Sequence, residues 1–196
     1  MHFARHLGLL GISTMRRIAF GSRMRGWFEQ SGFGITGEVA GASLEKLTEK
    51  WSGDPGTTPS PADRREIIDQ LAKIAFRLHS NGLFHRDLYL CHVFMSRRED
   101  DRIVLSVIDL GRMIRAGLRF ERWRIKDLAA LAYSSPSPLV TRADRIRFLY
   151  HYARLEARGN RAAARKRTRE IIALIEKRVV RMVKHDVSRK RRLEQA

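Results

Sequence analysis

The sequence predicts an α+β fold. Three observations carry that prediction. Short apolar or β-branched runs lie before residue 40 and again over residues 83–108, one long helical periodicity separates them, and only helical patterns follow. Residues from about Met1 to Leu10 read as the end of a helix stopped at Gly11. Met15 to Phe20 and Phe33 to Val39 read as short strands, with Gly21 to Gly32 as a polar turn that contains Trp27 and Phe28. Gly41-Ala42-Ser43 opens a short helix over Leu44 to Trp51, and the Gly, Pro, Ser and Thr of Ser52 to Pro61 make a loop. The next segment is a strong helix. Ser60 caps it, Pro61 fits its first position, Asp63 suits the positive end of its dipole, and Ile67, Ile68, Leu71, Ile74, Ala75 and Leu78 recur at helical spacing. Asn81-Gly82 ends it. Leu83-Phe84 and Val93-Phe94-Met95 are short apolar strands around a loop, Ser96 to Arg102 is a charged hairpin turn, and Ile103 to Ile108 is a strand that ends at Asp109. A basic loop and three helices complete the chain, over about Lys126 to Tyr133, Arg142 to Ala157 and Ala162 to Lys184. Thr141 and Asp144 form a weak capping box for the second, and Ile171, Ile175, Val179 and Met182 form an apolar stripe on the third.

The length of 196 residues suits one domain, or one lobe with an attachment, and 43% hydrophobic residues excludes a disordered chain. The net charge of +18 is uneven: Arg158 to Ala196 carries 14 Lys/Arg against 4 Asp/Glu, more than half of the excess. Such a surface attracts anions, whether nucleic acid, acidic lipid head groups or phosphorylated sugars and nucleotides. The single cysteine, Cys91, excludes an internal disulfide and fits a reducing compartment. No apolar run approaches the ~20 residues that span a bilayer. The glycine-broken N-terminus does not read as a signal peptide, so the expectation is a cytoplasmic protein drawn, at most, to the inner face of a membrane.

The chemistry-bearing run is Asn81-Gly82-Leu83-Phe84-His85-Arg86-Asp87-Leu88-Tyr89-Leu90-Cys91-His92-Val93-Phe94. His85-Arg86-Asp87-Leu88 matches the first half of H-R-D-L-x-x-x-N, the catalytic loop of protein kinases. A second acid, Asp109, stands in Val107-Ile108-Asp109-Leu110-Gly111 and resembles the D-F-G element, with Leu110 in the Phe position. Between the two acids lies enough chain for a hairpin that returns the second beside the first. Phosphoryl transfer needs a carboxylate to accept the proton of the attacking hydroxyl, for which Asp87 is placed. It also needs a hard oxygen ligand for Mg²⁺, which Asp109 can provide. His-Arg-Asp alone is a short match; the order helix, Asn-Gly, strand, loop, strand, turn, strand, acid is far more specific.

The wording narrows the resemblance further. His85-Arg86-Asp87-Leu88-Tyr89-Leu90-Cys91-His92, then Ser106-Val107-Ile108-Asp109-Leu110 with Arg112, then Arg122-Trp123, Lys126-Asp127-Leu128-Ala129-Ala130-Leu131 and Tyr133-Ser134 resemble the Kdo/WaaP lipopolysaccharide kinase family. Upstream, Leu10-Gly11-Ile12-Ser13-Thr14 and Ile18-Ala19-Phe20-Gly21 are similar to the family's segment after its αC helix, and Gly34-Ile35-Thr36-Gly37-Glu38-Val39 to its hinge, with Gly37 where an acid is expected. The resemblance runs from about Leu7 to Tyr152. It implies a protein-kinase-like fold, mostly the helical C-lobe with a remnant of the N-lobe sheet: residues 1–40 as partial N-lobe, 41–157 as C-lobe, and 158–196 as a basic helix and tail. It implies ATP-dependent, Mg²⁺-dependent phosphorylation of a heptose or Kdo hydroxyl on an anionic sugar-lipid, the lipopolysaccharide core or its precursor. By the same resemblance Glu38, Val39 and Ala40 receive the adenine, His92 stands where protein kinases have the loop asparagine and joins Asp109 at the metal, and Asp127 holds the backbone of the catalytic loop.

Other readings stay open at this stage. No G-x-G-x-x-G lies upstream of residue 33 and no lysine precedes Lys46, so the chain is expected to be incomplete on its N-terminal side and to bind ATP weakly or not at all. His92 fills the loop or ligates a metal; Arg112 and Arg115 steer phosphate or are merely solvated. Cys91 with His85 and His92 lacks the second pair that a zinc site needs. The basic tail reads first as a solvated helix docked on the lobe, second as a contact with anionic membrane or lipopolysaccharide precursor, and third as a nucleic-acid binder. A non-catalytic kinase-fold binding module is the rival to the enzyme.

Overall fold

The computed structural model describes residues 3–194; Met1 and His2 of the expected first helix, and Gln195 and Ala196 of the expected tail, lie outside the described residues. Helix α1 (Phe3–Leu9) buries Leu7 completely and stops at Gly11, whose φ of +64° lets Ile12 N–H return to the Leu7 carbonyl at 2.9 Å. Strand β1 (Ser13–Thr14) follows, then a hairpin of β2 (Arg17–Arg25) and β3 (Phe28–Thr36). Here the expectation from sequence needs correction. Gly21 to Gly32 is not a turn but the paired body of this hairpin, which reverses at Gly26 (φ +61°) and Trp27. The glycines mislead because they serve cross-strand contact rather than bending. The Phe33 ring lies over Gly21 so closely that a Cβ there would sit 2.6 Å from it. The ribbon forms its own two-stranded sheet and leaves Phe20, Trp27, Phe28 and Phe33 exposed, so no burial imposes alternation on its sequence.

Strand β4 (Ala42–Ser43) leads into α2 (Leu44–Gly53), which Ser43 caps. Gly41, at φ +88°, passes so near β6 (Val93–Arg97) that a Cβ would come within 2.0 Å of the Met95 carbonyl oxygen. Helix α3 (Pro61–Ser80) begins and ends as its sequence predicts, with the Ser60 hydroxyl accepting from Asp63 N–H and Asn81 as its C-cap. After β5 (Leu83–Phe84) come β6 and its antiparallel partner β7 (Ile103–Val107). These join β1 and β4 in one sheet of order β1-β7-β6-β4, with β1 parallel to β7. The basic loop holds a short strand, β8 (Ile114–Arg115), paired with β5. Helix α4 (Phe120–Ser134) starts well before Lys126, α5 (Arg142–Glu156) carries the full Thr141–Asp144 capping box, and α6 runs from Arg161 to Glu194 rather than stopping near Lys184. Lys, Arg and Glu are good helix formers, so the charged end of α6 stays helical without an apolar face to declare it.

The core has two parts. Leu7, Leu44, Leu78, Leu83, Leu88, Val93 and Val107 gather between α3 and the sheet. Ala72, Ala75, Leu128, Ala129, Tyr152, Ile171 and Ile175 gather where α3, α4, α5 and α6 meet. The stripe on α6 is thus divided. Ile171 and Ile175 are buried, Val179 and Met182 pack against the cluster, and Val187 is 44% exposed. Ile171→Ala is expected to destabilise the protein by about 2–4 kcal/mol, whereas Val187→Ala changes it by no more than about 0.5 kcal/mol. Urea unfolding of the two variants checks this, and equal effects would contradict the docking of α6.

Candidate active site

The site is built from three segments: the loop between β5 and β6, the end of β7, and the middle of α4. Asp127 on α4 is fully buried under the loop. Its Oδ2 accepts from His85 N–H at 2.8 Å and its Oδ1 from Arg86 N–H at 2.7 Å. His79 Nε2 faces the same Oδ2 at 3.4 Å, and His79 Nδ1 lies 3.0 Å from the Tyr152 hydroxyl. A carboxylate only accepts, so Nε2 carries the proton and Nδ1 accepts from Tyr152. Burial raises the Tyr152 phenol, which keeps that donor protonated. To present its N–H to Asp127, Arg86 takes a left-handed backbone at φ +72°. A non-glycine residue there costs roughly 1 kcal/mol. The strain persists because the carboxylate below over-determines it.

Two histidines join the loop to the end of β7. The buried His85 donates from Nε2 to the Ile108 carbonyl at 2.9 Å, and burial pushes its imidazole below the usual histidine range. Ile108 N–H in turn donates to the His92 carbonyl at 3.0 Å, which seals the open end of the β6–β7 hairpin. His92 Nδ1 lies 2.7 Å from the Asp87 carbonyl oxygen, so it is the protonated nitrogen. His92 Nε2 stands 3.6 Å from Asp109 Oδ2, and these are the two groups here that could hold a cation. Asp109 itself sits in the left-handed region at φ +54°, with its side chain 52% exposed. His92 thus links the backbone of Asp87 to the side chain of Asp109. Among the described residues no group of three or more His, Cys, Asp or Glu forms a metal cage. Mg²⁺ does not need one, since it keeps waters and substrate phosphates in most of its positions.

Asp87 is 13% exposed and faces two cations, Arg112 Nη1 at 2.8 Å from Oδ2 and Lys126 Nζ at 3.6 Å from Oδ1. Burial lowers the Lys126 ammonium, with Asp87 opposing that shift. Glu38, Val39 and Ala40 lie in the extended connection between β3 and β4, Val39 half-buried and its neighbours exposed. Cys91 is half-buried and burial pushes its thiol up, so it is not an activated nucleophile. Lys126, Trp123 and His79 were not singled out for this site from sequence. Lys126-Asp127 on a helix carried a signal, because an acid that anchors a loop puts its neighbour at the loop's edge. His79 carried none, since a histidine in the last turn of a helix reads as a response to the dipole.

Comparison with known proteins agrees with this arrangement. The model of the lipopolysaccharide kinase (Kdo/WaaP) family matches residues 1–152. The lipopolysaccharide core heptose(I) kinase WaaP of Pseudomonas aeruginosa is 36% identical over 154 residues, which cover 76% of this chain and 56% of that protein. Its Escherichia coli K12 counterpart is 34% identical over 157 residues, covering 77% and 57%. A solved structure of WaaP in complex with acyl carrier protein superposes with a TM-score of 0.73 at 31% identity, over 90% of this chain and 72% of that one. The chain spans about half the length of the curated relatives it matches. The chain therefore belongs to the lipopolysaccharide kinase (Kdo/WaaP) family, and its α+β lobe shares the fold of the solved WaaP structure.

Proposed function

We propose that this site transfers the terminal phosphoryl group of ATP to a sugar hydroxyl of the lipopolysaccharide core or its precursor. One observation carries the reading. A single imidazole, His92, lies 2.7 Å from the Asp87 backbone carbonyl and 3.6 Å from the Asp109 carboxylate, so it ties the two acid-bearing segments together. Asp87 accepts the proton of the attacking hydroxyl. Asp109 and the Nε2 of His92 are the groups that would hold Mg²⁺, which when bound neutralises charge on the phosphates. Glu38, Val39 and Ala40 receive the adenine in the connection that leads to Gly41, whose backbone is fixed against β6. In this reading residues 1–40 are the end of an N-lobe, 41–157 the C-lobe, and 158–196 its basic helix.

The acceptor and its setting follow from the same reading. The +18 charge suits an anionic sugar-lipid presented at the inner face of a membrane. Among the described residues no helix is long and apolar enough to cross a membrane, so the contact proposed is peripheral. We extend the partner of the solved WaaP complex, acyl carrier protein, to this chain as well. An apolar cavity of about 130 Å³ supports this, lined in part by Trp51, Ile67, Leu71, Leu131, Phe148 and Leu149, where an acyl group can be buried.

Asp87→Asn is expected to lower phosphate transfer from radiolabelled ATP to purified lipopolysaccharide core by at least ~100-fold, with little change in melting temperature. Activity retained within threefold would remove Asp87 as the base. Asp109→Asn should raise the Mg²⁺ concentration needed for half-maximal ATP-induced thermal shift, and His92→Phe should do the same more weakly; an unchanged Mg²⁺ dependence in both would move the metal elsewhere. If wild-type protein shows that thermal shift but no transfer, the chain is a nucleotide-binding module rather than an enzyme. On gel filtration at low salt, acyl carrier protein is expected to co-elute with the chain, and Leu131→Glu to abolish that complex.

A further inference from the structure

Three cations converge on one indole of α4. The guanidinium of Arg86 lies 5.0 Å from the Trp123 ring, that of Arg122 5.2 Å, and the Lys126 ammonium 5.9 Å. Of these, only Lys126 has an acidic partner close to the loop, and it shares Asp87 with Arg112. The single charge of Asp87 therefore faces two cations already. Arg86 has no carboxylate partner among the described residues, and its Nε is buried without an acceptor. A desolvated guanidinium donor with no acceptor, next to an ammonium and a flat apolar ring, describes a site for a ligand with an anionic group and a C–H face.

We propose that Arg86, Lys126 and Trp123 form the acceptor subsite, in which the sugar lies on the indole and its carboxylate or phosphate is held by the two cations. The inference rests on the phosphotransfer reading above and adds where the acceptor sits. Two features assign the ligand to the acceptor rather than to ATP. The groups proposed for Mg²⁺ and phosphate, His92 and Asp109, meet on the side of Asp87 formed by the end of β7. Lys126 and Trp123 belong to α4, and Lys126 approaches Asp87 Oδ1, whereas His92 reaches only the Asp87 backbone carbonyl. Asp127 fixes this geometry, because the same carboxylate that turns Arg86 into its left-handed backbone lies next to Lys126 on the helix.

The chain has three tryptophans, so the indole N–H signals of ¹⁵N-labelled protein report on this subsite directly, with Trp123→Phe identifying the signal. Kdo, an acidic sugar, is titrated at physiological salt against glucose as a neutral control. The Trp123 signal is expected to shift saturably with Kdo and not with glucose, while the signal of the exposed Trp27 stays still. Arg86→Gln and Lys126→Met should each weaken the apparent affinity at least fivefold, and Lys126→Arg should restore most of it. A shift that fails to saturate, that appears equally at Trp27, or that survives both substitutions overturns the proposal. So does a Trp123 signal that moves with Mg-ATP and not with Kdo, which would make this a nucleotide phosphate site. Kdo binding without Asp87-dependent transfer leaves the subsite standing and removes the enzyme; transfer without Kdo-dependent shifts does the reverse.

Discussion

Everything at the site depends on one buried carboxylate. Asp127 reaches its loop from 42 residues further along the chain and takes the N–H groups of His85 and Arg86 while His79 closes on it from α3. An ionised carboxylate without solvent is tolerated only when donors surround it, so the three groups and the acid stabilise one another. The clamp ties α3, α4 and the loop into a unit. The left-handed turn at Arg86 is its consequence, and the direction in which Asp87 then points follows from that turn.

The second constraint is the register of β6 on β7. Val93 pairs with Val107, which puts His92 and Ile108 opposite each other at the open end of the hairpin. His85 and His92 use that end as a bracket, one bonded to the Ile108 carbonyl and the other spanning Asp87 and Asp109. A slip of one residue would turn Asp109 to the opposite face and separate the acids. The histidines here are therefore spacers as much as chemical groups.

Much of the fold was legible because its signals are local. The α3 cap at Ser60, its stop at Asn81-Gly82, the Thr141–Asp144 box and the strand that ends before Asp109 all appear where periodicity and capping chemistry place them. The hairpin β2–β3 was not legible, because Gly21 and Gly32 look like turn residues until Phe33 is seen lying over Gly21. The start of α4 was missed for a related reason. Arg119 enters the helix from a left-handed backbone with no side-chain cap, so nothing in its sequence announces the boundary. At the site, Asp87 and Asp109 were named from their His-Arg-Asp-Leu and Asp-Leu-Gly motifs, whereas Lys126 emerged as a neighbour of Asp87, and Trp123 of Arg86, only in three dimensions.

By itself, then, the sequence determined which groups are available and in what order: an acid after His-Arg, a second acid at a strand end, a third on a helix that begins a basic region. Those facts are readable because they concern neighbours along the chain, where bonded geometry and periodicity act. Only the tertiary structure decided that the third acid holds the first one's loop, that His92 measures the gap between the other two, and that Arg86 and Lys126 share a tryptophan. Each of those relations joins separate elements, and their distances are set by how α3, α4 and the β6–β7 hairpin pack rather than by any property of the residues alone.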